Sequence, residues 1–386
     1  MIMYHIHNYS RSLKYLSSLG VFCLLVSCTQ SKTNEVHNTT ELTLKYAKGF
    51  SVKTEGVNKW VEVLYPFQGA TEGYHYLLIP KGEQAPVHDE KTLVIEVPVT
   101  KIICTSTTHI PLLDYLNETK ALVGFPSTDY ISSQKARTRI DSGFVKDLGV
   151  DKSMNLELLT TLNSDLVMGY TMSSDLGQFK KIQELGTPVV FNAEYLEKHP
   201  LGRAEWVKFM ALFFNKEKEA DSVFSYIEYQ YLNALKKVER VTSKPTVMNG
   251  IVYGDAWFLP GGQNYQARLF QDSGSDYLWR DDTSNGYLQL SFESIYNKAK
   301  DADLWIGVGS FKSLAELKAS EERYTRFKPF KTKQVYTYDA RQGAKGGSEF
   351  LELGYLRPDL ILKDLIKIAH PELMPDHELF FHRKLE

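Results

Sequence analysis

The chain has 386 residues, of which 43% are apolar, 24% charged and 12% aromatic, so it is long enough for two or more globular domains and is neither disordered nor of low complexity. Its 45 Lys and Arg residues nearly balance its 47 Asp and Glu residues, and a formal charge of -2 argues against a nucleic-acid partner. The less ordinary feature is a surplus of aromatic side chains, 23 Tyr, 20 Phe and 5 Trp, which can fill cores or line a cleft.

The first thirty residues have the pattern of an export signal. Arg11 and Lys14 precede an apolar run over residues 15–26, and small and polar residues follow it. The run is too short for the roughly 20 residues that a membrane-spanning helix needs. Its ending, Leu25-Val26-Ser27-Cys28, resembles a bacterial lipobox, which implies cleavage before Cys28 and a lipid on that cysteine. The alternative is a buried N-terminal helix with an incidental cysteine.

The lipobox reading divides the N-terminal region into a signal peptide, residues 1–27, and a flexible tether, residues 28–41, which is polar and without periodicity. Once Cys28 is acylated, Cys104 is the only thiol left in the mature chain. No internal disulfide can form, so the stability of the fold has to come from its core.

Two different patterns follow the tether. Short apolar bursts separated by glycines predict β-hairpins, and residues 42–90 are interpreted as an extra β-rich segment. Residues 91–199 then alternate short apolar strands, the first at 93–97 and 101–104, with helical stretches. Such alternation predicts a parallel, doubly wound α/β lobe.

Residues 200–243 are predicted to be a helical region between lobes. Trp206, Phe209 and Phe213 recur at helical spacing, and Asn215 could cap a second helix that runs toward Pro245. At a rise of 1.5 Å per residue, roughly 25 residues would span about 37 Å, enough to cross from one lobe to another. The alternative is a pair of ordinary helices packed on the first lobe.

The α/β pattern resumes over residues 244–386, which are predicted to form a C-terminal lobe. The predicted fold is therefore α/β, with two doubly wound α/β lobes joined by a long rigid helix and an extra N-terminal β-rich segment. The two lobes also share a weak sequence echo. Glu157 opens a helix that leads through Asp165 into a strand, and Glu293 opens one that leads through Asp303. A carboxylate at a helix N-terminus is favoured by the dipole alone, but a matched pair on two lobes suggests a common role.

Enzyme motifs are missing from the sequence: there is no Gly-x-Ser-x-Gly elbow, P-loop, dinucleotide fingerprint or His-Glu-x-x-His pair. In α/β lobes, ligands bind outside the carboxyl ends of the strands. The loops expected there are rich in hydroxyls and aromatic rings, which suits a bulky ligand with flat faces and negative oxygens, although any one aromatic could belong to the core. The candidate ligand contacts are Thr107, His109, Tyr130, Tyr170, Tyr253, Trp257 and Arg341.

Several segments, in this order and spacing, resemble one known family: the substrate-binding lipoproteins of ABC importers for iron-siderophore, haem and cobalamin. The resemblance covers roughly residues 90–370. The segments that carry it, besides Cys28, are Val99 to His109, Asn155 to Leu159, Ser164 to Val167, Leu185 to Val190, Leu201 to Trp206, Ser291 to Glu293, Asp301 to Trp305 and Arg357 to Asp364.

The resemblance implies a function as well as a fold. Members of the family have two lobes on a stiff helix that close little around the ligand, and an exposed Glu on each lobe docks onto arginines of the permease; Glu157 and Glu293 fall at those positions. The expected protein is a monomeric, non-enzymatic, lipid-anchored receptor of the periplasm or cell envelope, without an intrinsic cofactor. Its expected partners are an ABC permease dimer with its ATPase, the membrane through the lipid, and a metal-chelate ligand.

Two other functions stay open at this stage. A receptor for a free metal ion would need three or four His, Asp or Glu ligands converging in the cleft. An exported hydrolase would need paired carboxylates, for which Asp129, Asp255 and Asp339 are the candidates. Among chelates, the sequence does not separate siderophore, haem and cobalamin, although Arg341 favours an anionic one.

Overall fold

The computed structural model describes residues 39–386, and they form one compact unit. The predicted signal peptide, the lipidation site at Cys28 and most of the predicted tether lie outside the described residues. Within residues 39–386, none of the helices combines the length and the apolar character that crossing a membrane requires.

The N-terminal β-rich segment forms a five-stranded sheet in which strands follow in chain order. The first four strands are antiparallel, and the fifth runs parallel to the fourth. The stretch 93–97, which the sequence analysis assigned to the N-terminal lobe, pairs along the edge of this sheet instead. The strands are β1 (Thr39–Glu41), β2 (Phe50–Glu55), β3 (Asn58–Val63), β4 (Tyr74–Pro80) and β5 (Leu93–Val97).

The N-terminal lobe contains a parallel five-stranded sheet with the order β10-β9-β6-β7-β8. Its central strands are apolar and fully buried, as expected for a parallel sheet covered on both faces. The strands are β6 (Ile102–Cys104), β7 (Leu122–Phe125), β8 (Lys146–Asp147), β9 (Leu166–Gly169) and β10 (Val189–Phe191). The helices are α1 (His109–Tyr115), α2 (Gln134–Asp141), α3 (Leu156–Thr161) and α4 (Gly177–Glu184).

Three helices follow: α5 (Pro200–Glu205), α6 (Val207–Leu212) and α7 (Glu217–Val238). Every residue of α5 and α6 is buried. The 22 residues of α7 span about 33 Å, close to the predicted length. The prediction that Asn215 caps this helix is wrong: Asn215 has a left-handed backbone with φ of 54°, and Lys216 occupies the cap position without a side-chain hydrogen bond.

The C-terminal lobe has two sheets. The larger has the order β14-β11-β16-β17-β18 and is parallel except for β18 at its edge. The smaller, β12-β13-β15, is antiparallel. The strands are β11 (Thr246–Asn249), β12 (Ile251–Tyr253), β13 (Ala256–Pro260), β14 (Asp276–Tyr277), β15 (Tyr287–Leu290), β16 (Leu304–Ile306), β17 (Val335–Thr337) and β18 (Arg383–Lys384). The helices are α8 (Tyr265–Asp272), α9 (Phe292–Ala299), α10 (Leu314–Ser320), α11 (Lys328–Lys331), α12 (Glu349–Leu353) and α13 (Pro358–Ala369).

The small sheet corrects one sequence interpretation. Tyr253 and Trp257 were predicted to lie in loops at the carboxyl ends of strands, but Tyr253 is the last residue of β12 and Trp257 lies within β13. Along β13 the side chains alternate, so that Trp257 and Leu259 face the core.

One continuous apolar core joins the two lobes, the N-terminal sheet and the helices between them. The long helix α7 packs along α6 on one side and α13 on the other. At its centre the buried hydroxyl of Tyr231 donates to Asp272 of α8 at 2.6 Å. The helical layer is thus part of both lobe cores, which makes it a stiff connection rather than a hinge.

The C-terminal tail is held by a buried carboxylate. Asp364 of α13 accepts hydrogen bonds from the backbone amides of Phe380, Phe381 and His382 and pairs with the rings of His377 and His382 at 2.7 and 3.1 Å. Burial opposes ionisation, yet these donors together hold the pKa of Asp364 well below its usual range. The two histidines therefore help to anchor the tail.

Candidate functional site

A cavity of about 280 Å³ opens between the two lobes. The N-terminal lobe contributes the segments after β9 and β10, and the C-terminal lobe contributes the start of α8, the loop before β15 and the region of α12. We call this cavity the tyrosine cleft, because five tyrosines line it: Tyr170, Tyr195, Tyr265, Tyr287 and Tyr355.

A second cavity of about 290 Å³ adjoins the tyrosine cleft, and Gln266 and Tyr287 line both. It lies at the carboxyl ends of β11 and β16, where Gly307 and Gly309 have positive φ angles and form part of the wall. Tyr253 and Tyr338 add two more phenol rings. The two cavities together form a groove along the C-terminal lobe.

Arg203 of α5 lines the tyrosine cleft, with 8% of its surface exposed. Its guanidinium carbon lies 3.8 Å from the ring centre of Tyr265 and 4.3 Å from that of Tyr355. Its Nε and Nη2 donate to the backbone carbonyls of Glu197 and Tyr195 at 3.1 and 2.7 Å. Within residues 39–386, Nη1 has no recorded hydrogen-bond partner, so this edge can donate to a ligand oxygen.

Three tyrosines of the cleft, Tyr170, Tyr265 and Tyr287, are held in the neutral form. Burial is the main cause that raises the pKa of Tyr170, Tyr265 and Tyr287 above the ordinary value. The hydroxyl of Tyr265 is buried and finds no hydrogen-bond partner among the described residues. Because buried polar groups are nearly always satisfied, a ligand oxygen reaching this hydroxyl would complete the site.

Glu194 is a buried carboxyl group close to the cleft residues, with 2% of its surface exposed. One of its oxygens accepts from the hydroxyl of Thr108, and the other has no partner within residues 39–386. Burial raises its pKa to about 7, although Thr108 and Arg203 act in the opposite direction. Neither Arg203 nor Glu194 was among the contacts predicted from the sequence. Arg203 lies within α5, and Glu194 begins a short helical turn, whereas the predicted contacts were sought in strand-end loops.

The structure places the sequence-predicted contacts in several different surroundings. Tyr170 lines the tyrosine cleft and Tyr253 lines the adjoining cavity. Thr107 is half-buried in the turn before α1, where its carbonyl accepts from Ile110.

His109 and Trp257 do not reach the cleft surface. His109 is fully buried, its ring nitrogens have no hydrogen-bond partner within the described chain, and burial lowers its pKa to about 3, so it is a neutral core residue. Trp257 is also fully buried; it stacks on Trp305 with ring centres 5.5 Å apart and donates from Nε1 to the carbonyl of Asn249. The alternation of β13 turns it inward, which the loop interpretation missed.

Tyr130 and Arg341 lie elsewhere at the junction of the lobes. Arg341 pairs with Glu349 at 2.8 Å and lines a cavity of about 570 Å³ next to α1 and the start of α2. Tyr130 is 65% exposed, and its backbone carbonyl is so close to Gly347 that a side chain there would collide with it. The glycine-rich loop before α12 therefore packs directly on the N-terminal lobe.

A buried carboxylate connects the lobes at the same place. Glu352 of α12, 2% exposed, accepts from the backbone amides of Ser132 and Ser133 at the start of α2, at 2.6 and 2.7 Å. Burial is the largest cause that raises its pKa to about 8. Nearby, Arg357, which directly precedes α13, donates to the hydroxyl of Tyr115 at 2.8 Å. We call these two links the interlobe latch.

The two predicted docking residues occupy equivalent positions on the two lobes. Glu157 is the second residue of α3, which Asn155 caps, and Glu293 is the second residue of α9, which Ser291 caps. Both are exposed, and Glu293 also pairs with Arg323 at 3.3 Å.

The aspartates of the sequence echo also make equivalent contacts. Asp165 accepts from the amide and hydroxyl of Thr100, and Asp303 accepts from the amide and hydroxyl of Thr246. Each of these clasps joins the start of two neighbouring parallel strands. The echo in the sequence is therefore a repeat in the structure.

Comparison with known proteins shows the family. The model of the periplasmic binding protein family matches residues 102–342, which include the parallel sheet of the N-terminal lobe, the helices between the lobes and most of the C-terminal lobe. The chain belongs to the periplasmic binding protein family. Proteins of this family are substrate-binding proteins that work with ABC permeases and ATPases, and not enzymes. The predicted absence of an enzyme activity is confirmed, and the hydrolase alternative is withdrawn.

Relatives and solved structures agree with this assignment. Two uncharacterized lipoproteins of Methanocaldococcus jannaschii are 27% and 28% identical, covering 96% and 95% of this chain and 97% of each relative. A possible iron-binding periplasmic solute-binding protein of Staphylococcus epidermidis superposes with a TM-score of 0.55 at 18% identity, covering 70% of this chain and 99% of that one. The apo periplasmic heme-binding protein RhuT of Roseiflexus gives 0.56 at 15% identity, covering 71% and 98%. These likenesses confirm the predicted two-lobe α/β fold.

Proposed function

We propose that this periplasmic binding protein captures an anionic metal chelate in the tyrosine cleft and delivers it to an ABC permease. The observation that carries the proposal is the arrangement around Arg203: a nearly buried guanidinium with one free edge, in contact with two phenol rings, in a cleft lined by five tyrosines. A cation needs an anionic ligand group, and flat phenol faces suit a large unsaturated or aromatic ligand.

The donors of the cleft favour a chelate over a free metal ion. Within residues 39–386, no group of three or more His, Cys, Asp or Glu side chains is placed to hold a metal. The cleft instead offers phenol hydroxyls, amides such as Asn264 and Asn285, and one guanidinium. These groups bind oxygens on an organic ligand. A possible iron-binding protein and a heme-binding protein among the similar solved structures support a metal-containing ligand.

Anchoring and docking belong to the same proposal. We propose that Cys28 carries the lipid that holds the protein at the membrane of the cell envelope, and the lipoprotein relatives support this. We propose further that Glu157 and Glu293, on equivalent helix starts of the two lobes, contact the permease.

The binding step can be tested by calorimetric titration of the purified protein. The probes are haemin, a ferric tris-catecholate, a ferric hydroxamate and cyanocobalamin, with ferric citrate as a weak-chelate control. We expect saturable one-to-one binding of an anionic probe, haemin or the ferric tris-catecholate, with a Kd in the micromolar range or below. Mass spectrometry of the material that copurifies with the protein would identify the class independently. If none of the four chelates binds, the proposed function is wrong.

A further inference from the structure

The N-terminal sheet, β1 to β5, lies outside the part of the chain that the family model matches, which begins at Ile102. It is nevertheless joined to the residues around the tyrosine cleft. The hydroxyl of Tyr76 on β4 accepts from the backbone amide of Phe191 on β10 at 3.0 Å. The sheet therefore sits directly on the strand whose end leads into the cleft.

Two buried carboxylates tie the chain before β2 to the cleft wall. Glu197 accepts from the backbone amides of Lys48 and Gly49 at 2.7 and 2.8 Å, and from the indole of Trp206 at 3.0 Å. Glu205, which is fully buried, accepts from the amides of three successive residues; these are Lys45, Tyr46 and Ala47.

Glu197 and Glu205 lie on either side of Arg203 in the sequence. The carbonyl of Glu197 accepts from its Nε, and Glu205 belongs to the same helix, α5. One short segment, residues 195–205, therefore has two functions. Its carboxylates bind the amides of residues 45–49, which connect β1 and β2, and its backbone carbonyls orient the guanidinium of Arg203. The position of Arg203 in the cleft depends on a segment that the sheet holds in place.

The loop between β3 and β4, residues 64–73, also reaches the cleft itself. Gln68 lines the tyrosine cleft, and its backbone amide donates to the hydroxyl of Tyr195 at 3.3 Å. That hydroxyl donates in turn to the carbonyl of Thr171 at 3.0 Å. The side chain of Gln68 is exposed at the rim, free to meet a ligand.

We propose that the β3–β4 loop is a specificity-determining wall of the ligand site, with Gln68 facing the bound chelate and the amide of Gln68 positioning Tyr195. The N-terminal sheet is then a part of the binding site that the matched family region does not supply. This inference rests on the proposed function, because it concerns the chelate bound in the tyrosine cleft.

Replacement of the loop tests the inference. Residues 66–72 would be exchanged for a Gly-Ser linker of equal length in the full chain, and a matched control would exchange residues 83–87, an exposed or half-buried connection of the same sheet that lies away from the cleft. With whichever chelate of the four probes the unaltered protein binds, we expect at least tenfold weaker binding for the first exchange and a change below twofold for the second. Circular dichroism and thermal melting establish that both variants are folded.

A charge pair at Gln68 tests the contact without altering the loop. For an anionic probe, haemin or the ferric tris-catecholate, Gln68→Lys should strengthen and Gln68→Glu weaken binding by about threefold each at low ionic strength, and added salt should reduce the difference. Equal affinities for the two variants, together with an unchanged affinity after loop exchange, would overturn the inference while leaving the proposed function intact. Failure of the unaltered protein to bind any chelate would instead remove the proposed function and the inference that rests on it.

Discussion

Arg203 and Arg341 are two arginines at the junction of the lobes, and their surroundings predict opposite roles. Arg203 has a free donor edge in the tyrosine cleft, whereas Arg341 is paired with Glu349 and lies over the ring of Phe380. A charge-assisted hydrogen bond is worth about 1.5 to 3 kcal/mol. We therefore expect Arg203→Met to weaken chelate binding by about ten- to a hundredfold.

Arg341→Met is the matched control for that change. The side chain of Arg341 is paired with Glu349 and lines the cavity of about 570 Å³ next to α1, not the tyrosine cleft. Its loss should therefore change chelate affinity less than twofold. Calorimetry on both variants measures the difference. A larger loss for Arg341→Met than for Arg203→Met would restore the sequence-based assignment and contradict the one argued from the structure.

Glu352 predicts a pH dependence of stability. Its pKa is raised to about 8 from an ordinary value near 4.5, mainly by burial, with Asp114 and Glu349 acting in the same direction and the amides of Ser132 and Ser133 opposing. A carboxyl group with a raised pKa binds its proton more tightly in the folded state, so its stabilising contribution is full below about pH 4.5 and is lost as the pH rises through 8.

The variant Glu352→Gln removes this titration and keeps an amide oxygen that can accept from the backbone. We expect its melting temperature, relative to that of the unaltered protein, to rise between pH 5 and pH 9. The matched control is Glu322→Gln, which removes an exposed carboxylate of the same lobe that pairs with Lys318 and does not act on the pKa of Glu352. Parallel curves for Glu352→Gln and the unaltered protein over this range would contradict the assignment of the titration to Glu352.

Single residues were the hardest part of the site to find from the sequence. Tyr170 follows a strand and was found because strand-end loops are where ligands bind. Arg203 was not predicted because it lies inside a helix, where nothing in the sequence marks an arginine that contacts two tyrosines distant along the chain. His109 was misplaced because it is the first residue of α1 and not part of the loop after β6, and its ring enters the core instead of the cleft.

Elements were predicted better than residues wherever the pattern is long. The long helix α7 follows from the spacing of its apolar residues, and the buried strands of both lobes follow from their continuous apolar runs. The hairpin of β12 and β13 was read as a loop. Gly254 in the turn is typical of a β-hairpin. However, Phe258 lies between the inward-facing Trp257 and Leu259, so all three residues are apolar and the alternation of polar and apolar residues that marks a strand is absent.

The attachment of the N-terminal sheet to α5 predicts the effect of a mutation in the core. Glu205 has no exposed surface. Its carboxylate accepts hydrogen bonds from three backbone amides and pairs with the ammonium group of Lys208 at 3.3 Å. A glutamine at this position would keep one oxygen that accepts hydrogen bonds, but its NH2 group would face backbone N–H groups that are themselves donors. Glu205→Gln should therefore lower the free energy of unfolding by about 2 to 3 kcal/mol.

The control for this variant is Glu219→Gln, which breaks an exposed pair with Lys216 and should change stability by less than about 1 kcal/mol. Urea denaturation measures both differences, and limited proteolysis shows whether the segment before β2 is the part that loosens. If Glu205→Gln unfolds at the same urea concentration as Glu219→Gln, the carboxylate does not secure the sheet.

In the whole molecule, the two lobes repeat the same structural features. Each has a parallel sheet, an Asp-Thr clasp between the starts of two strands, and a capped helix with Glu at its second position. The sequence predicts the two lobes and the helix between them because the α/β pattern stops and resumes. It does not predict the interlobe latch, because the contact of Glu352 with the start of α2 joins residues 220 positions apart.

The repeat has a consequence for transport. Under the proposed docking, Glu157 and Glu293 would meet the two subunits of a permease from equivalent points on the two lobes. Both side chains are exposed and lie away from the tyrosine cleft, so they can be changed without disturbing the ligand. We expect Glu157→Ala with Glu293→Ala to reduce chelate uptake at least tenfold in cells that carry the importer, with chelate affinity of the purified variant unchanged.

The matched control is Glu184→Ala with Glu322→Ala, which removes two exposed carboxylates, one from each lobe, at positions without a counterpart on the other lobe. It should leave uptake within twofold of the unaltered protein. Because binding through two points multiplies their contributions, each single change at Glu157 or Glu293 should already reduce uptake. Normal uptake by the Glu157 and Glu293 double variant, or an equal loss in the control, would show that the repeat serves the fold and not the permease.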